Sequence, residues 1–243
     1  MTSQFNGLFS QDNGSDRVSP QRKSTFTDKL SLYRTAHTKY PYTLPPLEYG
    51  CDGLEPYLDT QTMHLHHDKH HQAYIDQANE AVGKYPELQK TDLATLMADL
   101  SELPADLRTP LQSNGGGPLN HALFWQCMTP RGGGEPQGRL ALAIKQTFGG
   151  FVQFKEEFDD AAKNRLGSGW AWLCVRSGGD LETSSTANQD TPLSNRQLPI
   201  LALDVWEHGY YLKYHNRRPE YVTNWWQVVN WRKVEEQFDS ITG

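Results

Sequence analysis

The sequence has 243 residues, of which 37% are hydrophobic and 11% aromatic, and its formal net charge is −6. This size suits one larger unit or two small packed domains. The acidic balance argues against nucleic acid as the main partner, because phosphate binding needs a basic face. No apolar run of 18 residues occurs, so we expect no transmembrane helix and no membrane partner. The chain has three widely spaced cysteines and no CxxC pair, which favours a reducing compartment.

Residues 1–40 are rich in Ser, Thr, Asn and Gln and lack the apolar core of a secretory signal. We expect a disordered or flexible extension that is peripheral to any activity. Cytoplasmic localisation follows from the cysteine usage. Organelle import through the extension is the alternative, because Lys and Arg outnumber Asp and Glu there, although three aspartates speak against a transit peptide.

The first half of the remaining chain has helical patterns. We predict a helix that Thr60 or Thr62 caps and Gly83 ends, a shorter helix over residues 92–103, and a third from about Pro118 to Met128. A glycine-rich joint near residues 130–137 then marks a boundary. The sequence therefore predicts a helical hairpin domain over residues 41–132 and a second domain over residues 133–243.

The second half changes character after two helices that break at Gly149-Gly150. A turn at Ser177–Asp180, with aromatic and β-branched residues before it, predicts a hairpin, and "LPILALDVW" predicts a third strand. Helices close the chain. Helices followed by a small three-stranded antiparallel sheet with further helices indicate an α+β fold.

Five of the nine histidines lie between residues 64 and 74. On a helix, His66, His70 and Tyr74 are spaced to share one face. A solvated polar face is the plain alternative for such a pattern. The density of imidazoles here nevertheless favours a functional face.

An aspartate ends the apolar third strand, and a histidine follows four residues later. Asp204 needs a partner there, because a carboxylate is rarely buried unpaired, and a metal cation is one of the best partners. With His208, His66 and the His121 of an apolar helical stretch, the inventory is three imidazoles and one carboxylate. This set suits Mn, Fe or Zn and disfavours Cu(I) and iron–sulfur clusters.

Three imidazoles and one carboxylate are compatible with both zinc-dependent hydrolysis and redox catalysis. Tryptophans crowd the same stretches of sequence. A dry, aromatic-walled pocket suits a very small substrate and a tuned metal potential, which favours redox chemistry. The tryptophans in question are Trp125, Trp170, Trp172 and Trp206.

Five motifs, taken in order and spacing, resemble the iron/manganese superoxide dismutases from about Tyr42 to Phe238. They are "TMHLHHDKHHQAY", "NHALFW", "GSGWAWL", "STANQD" and "DVWEHGYYLKYHNRRPEY". The resemblance implies a helical hairpin domain and a C-terminal α/β domain with one metal ion between them. It implies disproportionation of superoxide into dioxygen and hydrogen peroxide. The implied ligands are His66, His121, Asp204 and His208, with water or hydroxide in the fifth position.

The resemblance also implies roles around the metal. Tyr74 and His70 would line the substrate funnel and relay protons, and Tyr211 would reach His70 across the interface of a homodimer or homotetramer. Glu207 would bond to His208 of the partner subunit. The implied apolar wall is Phe124, Trp170, Trp172 and Trp206, and the implied steering cations are Lys69 and Arg218.

The choice of metal depends on a glutamine that hydrogen-bonds the metal-bound solvent. "STANQD" provides Gln189, the pattern of the manganese enzymes, and the alternative position, Gly117, has no side chain. We therefore expect manganese, with iron use possible. Two departures from the family pattern are Gly209, where alanine is usual, and the run "GGGP", where Gly-Gly-His is more common.

Two rival functions use the same residues. One is a zinc or iron hydrolase or oxygenase, but oxygenases commonly leave several positions open, and a fourth protein ligand argues against that. The other is a non-catalytic metal-binding protein. The set of Tyr74, His70 and Gln189 argues against storage, which needs no proton relay.

Overall fold

A computed structural model of the chain describes residues 25–243. These residues form a helical N-terminal unit followed by a C-terminal unit built around a three-stranded sheet, and one continuous hydrophobic core runs through both. Within the described range, no helix is long and apolar enough to cross a bilayer. The expected α+β architecture is confirmed.

The first hairpin helix begins after Asp59, whose side chain accepts a hydrogen bond from the Thr62 N–H at 2.8 Å. Asp59 is therefore the cap, not Thr60 or Thr62. The helix comprises Thr60–Leu65, a π-helical turn at His66–His71, and Gln72–Gly83. The π-helical turn contains most of the histidine cluster, and such turns are frequent at functional sites.

The second hairpin helix comprises Ala105–Pro110, a π-helical turn at Leu111–Gly115, and Gly116–Gln126. The sequence predicted only its second half, because Pro110 and the three glycines are strong helix breakers. Pro110 is tolerated since it lies where regular α geometry gives way to the wider π turn. Packing of this helix in the core outweighs its poor local propensity.

The remaining helices follow the predicted order. Gly149 ends one of them in the left-handed region, at φ 91°, which confirms the predicted break. The α-helices are Leu93–Ala98, Gly138–Phe148, Phe151–Lys163, Tyr211–Tyr214, Arg218–Trp225 and Trp231–Thr242. Shorter 3₁₀ turns lie at Leu100–Glu102, Pro192–Asn195, Glu207–Gly209 and Trp226–Val228.

The sheet consists of β1 (Gly169–Val175), β2 (Leu181–Ala187) and β3 (Leu198–Asp204) in the order β2-β1-β3. Both pairings are antiparallel, and β1 and β3 are buried along their whole length. Continuous apolar sequence is what a strand covered on both faces requires. The register pairs Trp170 with Asp204, which places an indole beside the carboxylate at the end of β3.

The N-terminal extension differs from expectation. Residues 1–24 lie outside the described residues, so the expectation of disorder is not tested there. Residues 26–38 form short helical turns at Phe26–Lys29, Leu30–Tyr33 and Ala36–Thr38. We call this segment the N-terminal strap, and for it the prediction of disorder is wrong.

The strap is ordered by contacts to both units. Leu30 is buried in the core, and the Tyr33 hydroxyl donates a hydrogen bond to the Pro199 carbonyl of β3 at 2.9 Å. Arg34 donates to the Thr95 hydroxyl of the helical unit at 3.0 Å. Burial of a few apolar side chains against the rest of the protein offsets the conformational entropy that a polar segment loses when it becomes ordered. The composition of the segment alone does not reveal these contacts.

Candidate metal centre

Four side chains from four separate elements converge between the two units. The hairpin helices provide His66 and His121, the end of β3 provides Asp204, and the following 3₁₀ turn provides His208. Their ligand atoms all lie within 4.8 Å of one another. His66, His121 and Asp204 are fully buried, and His208 is nearly so. The predicted convergence is therefore confirmed.

The carboxylate of Asp204 lies at the centre of the three imidazoles. Its Oδ2 is 3.0 Å from His66 Nε2, 3.2 Å from His208 Nε2 and 3.6 Å from His121 Nε2. His121 Nε2 is buried and has no hydrogen-bond partner among residues 25–243. A buried nitrogen without a partner, facing a carboxylate and two further imidazoles, is what a cation site requires. The residues thus fit a bound metal ion.

Hydrogen bonds to neighbouring groups fix the orientation of these four side chains. His121 Nδ1 is 2.8 Å from the Gly117 carbonyl, so this nitrogen carries the proton and Nε2 keeps its lone pair for metal. The Trp206 N–H donates to Asp204 Oδ1 at 2.8 Å. Tyr221 donates from its hydroxyl to the Asp204 carbonyl at 2.9 Å, which secures the end of β3.

The protonation states suit metal binding. Burial lowers the pKa of His66 to about 4 and holds the pKa of His121 well below its usual value. Burial alone would raise the pKa of Asp204, but the imidazoles of His208 and His66 outweigh it and keep the pKa below its usual value. Two neutral imidazoles and an ionised carboxylate are therefore ready to bind a cation without first losing protons.

Gln189 is buried beside this cluster. Trp170 Nε1 donates to its Oε1 at 3.2 Å, and Asn120 Nδ2 donates to its backbone carbonyl at 3.2 Å. The amide nitrogen of Gln189 has no hydrogen-bond partner within the described part of the chain. The amide is thus held by its oxygen, and its nitrogen lies beside the Tyr74 hydroxyl, with which it interacts.

Two glycines of the second hairpin helix allow this arrangement. A Cβ at Gly116 would lie 1.9 Å from the Gln189 carbonyl oxygen, and one at Gly117 would lie 2.5 Å from Tyr74 Cγ. Neither position accepts a side chain without movement of the groups that face it. A glutamine at position 117 therefore does not fit here, which agrees with the assignment of the amide to Gln189.

Tyr74 and His70 lie where the shared helix face predicted. The Tyr74 ring centre is 5.4 Å from that of His121, and His70 stacks on His208 at 4.4 Å. Burial raises the pKa of the Tyr74 hydroxyl, and the nearby Gln189 amide partly opposes this. Burial also lowers the pKa of His70, and His208 adds to the effect. Both groups remain partly exposed, so they connect the cluster with solvent.

Three of the four predicted wall residues touch the ligand histidines. Phe124 lies 5.6 Å from His66 between ring centres, Trp170 lies 5.0 Å from His121, and Trp206 stacks on His208 at 5.2 Å. Trp172 lies one layer further out. It stacks behind Trp170 at 5.5 Å and donates to the Thr186 hydroxyl.

Three further residues support the cluster; the sequence analysis placed Trp125 among the pocket tryptophans but gave His71 and Asn120 no role. Trp125 packs edge-on against His66 at 4.9 Å and donates to His71 Nδ1 at 3.1 Å. The ring of His71 in turn stacks on His121 at 5.2 Å. Asn120 holds the backbone of Gln189. Trp125 and His71 stood in the quoted motifs, but only the folded contacts show what they support.

The remaining residues with predicted roles in the site are exposed or half-buried. Lys69, Glu207 and Tyr211 are exposed. The Arg218 guanidinium is half-buried and donates to the carbonyls of Arg165 and Gly167 and to the Tyr210 hydroxyl. Arg218 therefore braces the 165–167 loop, and its role in steering stays a prediction.

The departure at Gly209 lies directly against a ligand. A Cβ there would be 3.3 Å from His66 Cε1, closer than an unstrained contact. The glycine thus gives the His66 ring slightly more room than an alanine would. The "GGGP" departure places Pro118 inside the second hairpin helix, with its carbonyl 3.1 Å from His71 Nε2.

Comparisons with known proteins agree with this geometry. The family model described as "Iron/manganese superoxide dismutases, alpha-hairpin domain" matches residues 41–129, and the one described as "Iron/manganese superoxide dismutases, C-terminal domain" matches residues 136–237.

Relatives with similar sequences cover most of the chain. The chain is 52% identical over 200 residues to "Superoxide dismutase [Mn] 1" of Leptolyngbya boryana, which covers 82% of this chain and 81% of the relative. It is 52% identical over 199 residues to "Superoxide dismutase [Mn]" of Listeria innocua, covering 82% and 98%. It is 53% identical over 197 residues to "Superoxide dismutase [Mn/Fe]" of Methylomonas sp. strain J, covering 81% and 97%.

Proposed function

The chain belongs to the iron/manganese superoxide dismutase family, and from this we propose that it disproportionates superoxide at one manganese ion held by four side chains. The observation that carries the proposal is the convergence of His66, His121, Asp204 and His208 on one buried point. Three imidazoles and one carboxylate are donors that manganese accepts. The relatives' names include both Mn and Mn/Fe, so iron is the second candidate metal.

The chemistry that bound manganese supplies is one-electron exchange, out of one superoxide and into a second. The products are dioxygen and hydrogen peroxide, so each cycle consumes two protons. The protein must therefore deliver protons to a site that its aromatic wall keeps dry. The buried donor groups, not bulk water alone, have to perform this task.

Gln189 and Tyr74 provide the donors. Trp170 and Asn120 hold the oxygen and the backbone of Gln189, which leaves its Nε2 hydrogens for solvent at the site. Tyr74 keeps its proton at neutral pH because burial raises the pKa of its hydroxyl. His70, partly exposed beside His208, connects these groups with the outside. The chain's own side chains thus form the relay.

The substrate is an anion and the chain is acidic, so attraction must be local. Lys69 is exposed on the helix that provides His66 and His70. We propose that its ammonium group attracts superoxide toward the metal centre. The Arg218 guanidinium also carries positive charge but donates to the carbonyls of Arg165 and Gly167, so we propose that it holds the 165–167 loop as well as attracting the substrate.

We further propose a homodimer that forms at the surface around the metal entrance. Helix Thr60–Leu65 packs beside the segment that contains Glu207 and Tyr211. Exposed apolar side chains lie together on these neighbouring elements, and an apolar patch, unlike a single exposed hydrophobic residue, supports an interface. They are Leu65, Tyr211 and Leu212, of which 40%, 49% and 48% of the surface is exposed. Sedimentation analysis tests the dimer, and a monomer at micromolar concentration contradicts it.

We propose cytoplasmic localisation on the basis that the three cysteines are free. Import into an organelle through residues 1–24 is the alternative. Expression of the whole chain and of a chain that lacks residues 1–24, each fused to a fluorescent protein in the native host, distinguishes the two. Identical diffuse distributions support the cytoplasm, and an organelle signal that the truncation removes overturns it.

Metal reconstitution tests the central proposal. The purified metal-free chain is loaded separately with manganese, iron and zinc, its metal content is measured, and superoxide consumption is followed. We expect activity with manganese and none with zinc, which has no redox chemistry. Equal activity with zinc, or no activity with either manganese or iron at full occupancy, would refute the proposed function.

A further inference from the structure

A cavity of about 260 Å³ lies between the N-terminal strap and the hairpin helices, away from the metal entrance. We propose that this strap cavity binds a small organic ammonium ion that carries one apolar ring. No ligand of the metal cluster lines the cavity, and neither do Tyr74, His70 or Gln189. A molecule bound there would therefore not occupy the path of superoxide.

The floor of the strap cavity is apolar and buried. Ile75 of the first hairpin helix, and Leu119, Leu123 and Trp125 of the second, line it and are at most 6% exposed. Leu32 of the strap closes it from above. Burial of apolar ligand surface against such a floor contributes roughly 25 cal/mol per Å². The floor therefore selects a ligand with an apolar body.

The rim of the cavity is polar and its charge has one sign. Among the described residues that line the cavity, Glu48 is the only one with a fixed charge, and it is exposed. Its carboxylate accepts hydrogen bonds and is negative, so the rim favours a ligand that donates hydrogen bonds and carries positive charge.

The size of the cavity limits the apolar part of the ligand. Pockets for drug-sized molecules are about 300–1,000 Å³, and this one is smaller. A single ring with a short arm fits that limit. The ring would lie on Leu119 and Trp125, and the ammonium group would reach Glu48. An organic carboxylate would place like charge beside Glu48 and is disfavoured.

The cavity also touches the support of the metal cluster. His71 lines the cavity, and its ring stacks on His121 at 5.2 Å with an interplanar angle of 15°. Trp125 lines it too and packs against His66. Direct ring contacts therefore join residues that line the strap cavity to His121 and His66 of the cluster.

Direct binding measurements with matched probes test the proposal. The manganese-loaded full chain is titrated with phenethylammonium, with 2-phenylethanol of nearly the same shape, and with phenylacetate, by calorimetry and ligand-observed NMR. We expect a dissociation constant on the order of 1 mM for phenethylammonium, as for other ligands of one ring, and weaker binding of the other two by about fivefold or more. No binding of phenethylammonium, or equal binding of phenylacetate, overturns the proposal.

Substitutions in the strap cavity test where the probes bind. Glu48→Gln should weaken phenethylammonium binding by about fivefold and leave 2-phenylethanol unchanged, because only the ammonium loses a charge partner. Glu135→Gln, which removes an exposed carboxylate elsewhere, is the matched control and should change nothing. Ala122→Phe, which fills the cavity, should abolish binding of both probes. Binding that survives both Glu48→Gln and Ala122→Phe at full strength contradicts the site.

Discussion

Trp170 Nε1 donates a hydrogen bond to Gln189 Oε1 at 3.2 Å, and both side chains are fully buried. The bond holds the amide by its oxygen and leaves its nitrogen beside the Tyr74 hydroxyl, in the position of the proposed proton donor. The same indole contacts His121 at 5.0 Å between ring centres. One residue of β1 thus contacts both the proposed ligand His121 and the proposed proton donor Gln189.

Gln189→Leu tests this role. The leucine keeps most of the volume and removes the donor, so we expect full metal occupancy and turnover at least about tenfold lower, since positioned proton donors typically contribute that much or more. Metal content and superoxide consumption measured on the same sample check it. Gln153→Leu, an exposed glutamine elsewhere, is the control and should behave as the unmodified chain. Unchanged turnover in Gln189→Leu contradicts the assignment.

Gly117→Ala tests the close approach of Tyr74 to the second hairpin helix. The new methyl group would lie 2.5 Å from Tyr74 Cγ and 2.7 Å from its Cβ, so the two helices must separate. We expect the free energy of unfolding to fall by about 1–3 kcal/mol, the usual cost of an overpacked core. Urea unfolding measures it. Gly178→Ala, at an exposed turn, should cost less than about 0.5 kcal/mol, and equal costs for the two would contradict the contact.

The N-terminal strap should stabilise the fold through Leu30. This side chain is 1% exposed, and its truncation to alanine leaves a cavity where the two units meet. We expect Leu30→Ala to lower the free energy of unfolding by about 2–4 kcal/mol. Ser31→Ala, at the exposed neighbouring position, should stay within about 0.5 kcal/mol. If the two variants unfold alike, the strap does not belong to the core.

The metal-free chain should lose stability in mild acid. Burial lowers the pKa of His66 to about 4 and that of His71 to about 3, whereas an unfolded histidine titrates near pH 6.5. Between these values the unfolded chain binds more protons, so the free energy of unfolding falls as the pH drops from about 6.5 to 4, by up to about 1.4 kcal/mol per pH unit for each histidine. Urea unfolding at several pH values measures the slope. His66→Gln should make it shallower, and an unchanged slope would contradict the burial of a neutral imidazole.

The sequence alone predicted which four side chains converge, because at least two of them stand in distinctive contexts. Asp204 ends an apolar strand, and the histidine density around His66 is rarely a plain surface feature. The strands and the break at Gly149 followed from local patterns that tertiary packing did not override.

The predictions that failed concern segments whose structure depends on packing against distant parts of the chain. The first half of the second hairpin helix was missed, because Pro110 and Gly115–Gly117 suppress the local signal while the π turn and the core keep the helix intact. The strap was wrongly expected to be disordered, since only its contact with Pro199 and Thr95 reveals its order. The supporting role of His71 depends on a stack with His121 across the two hairpin helices, which no local pattern shows.

Anomalous diffraction at the manganese absorption edge from crystals of the active, manganese-loaded chain tests the central claim most directly. We predict one peak per chain, between the Nε2 atoms of His66, His121 and His208 and the Oδ2 atom of Asp204. A peak elsewhere, or active crystals with no manganese at this point, would contradict it.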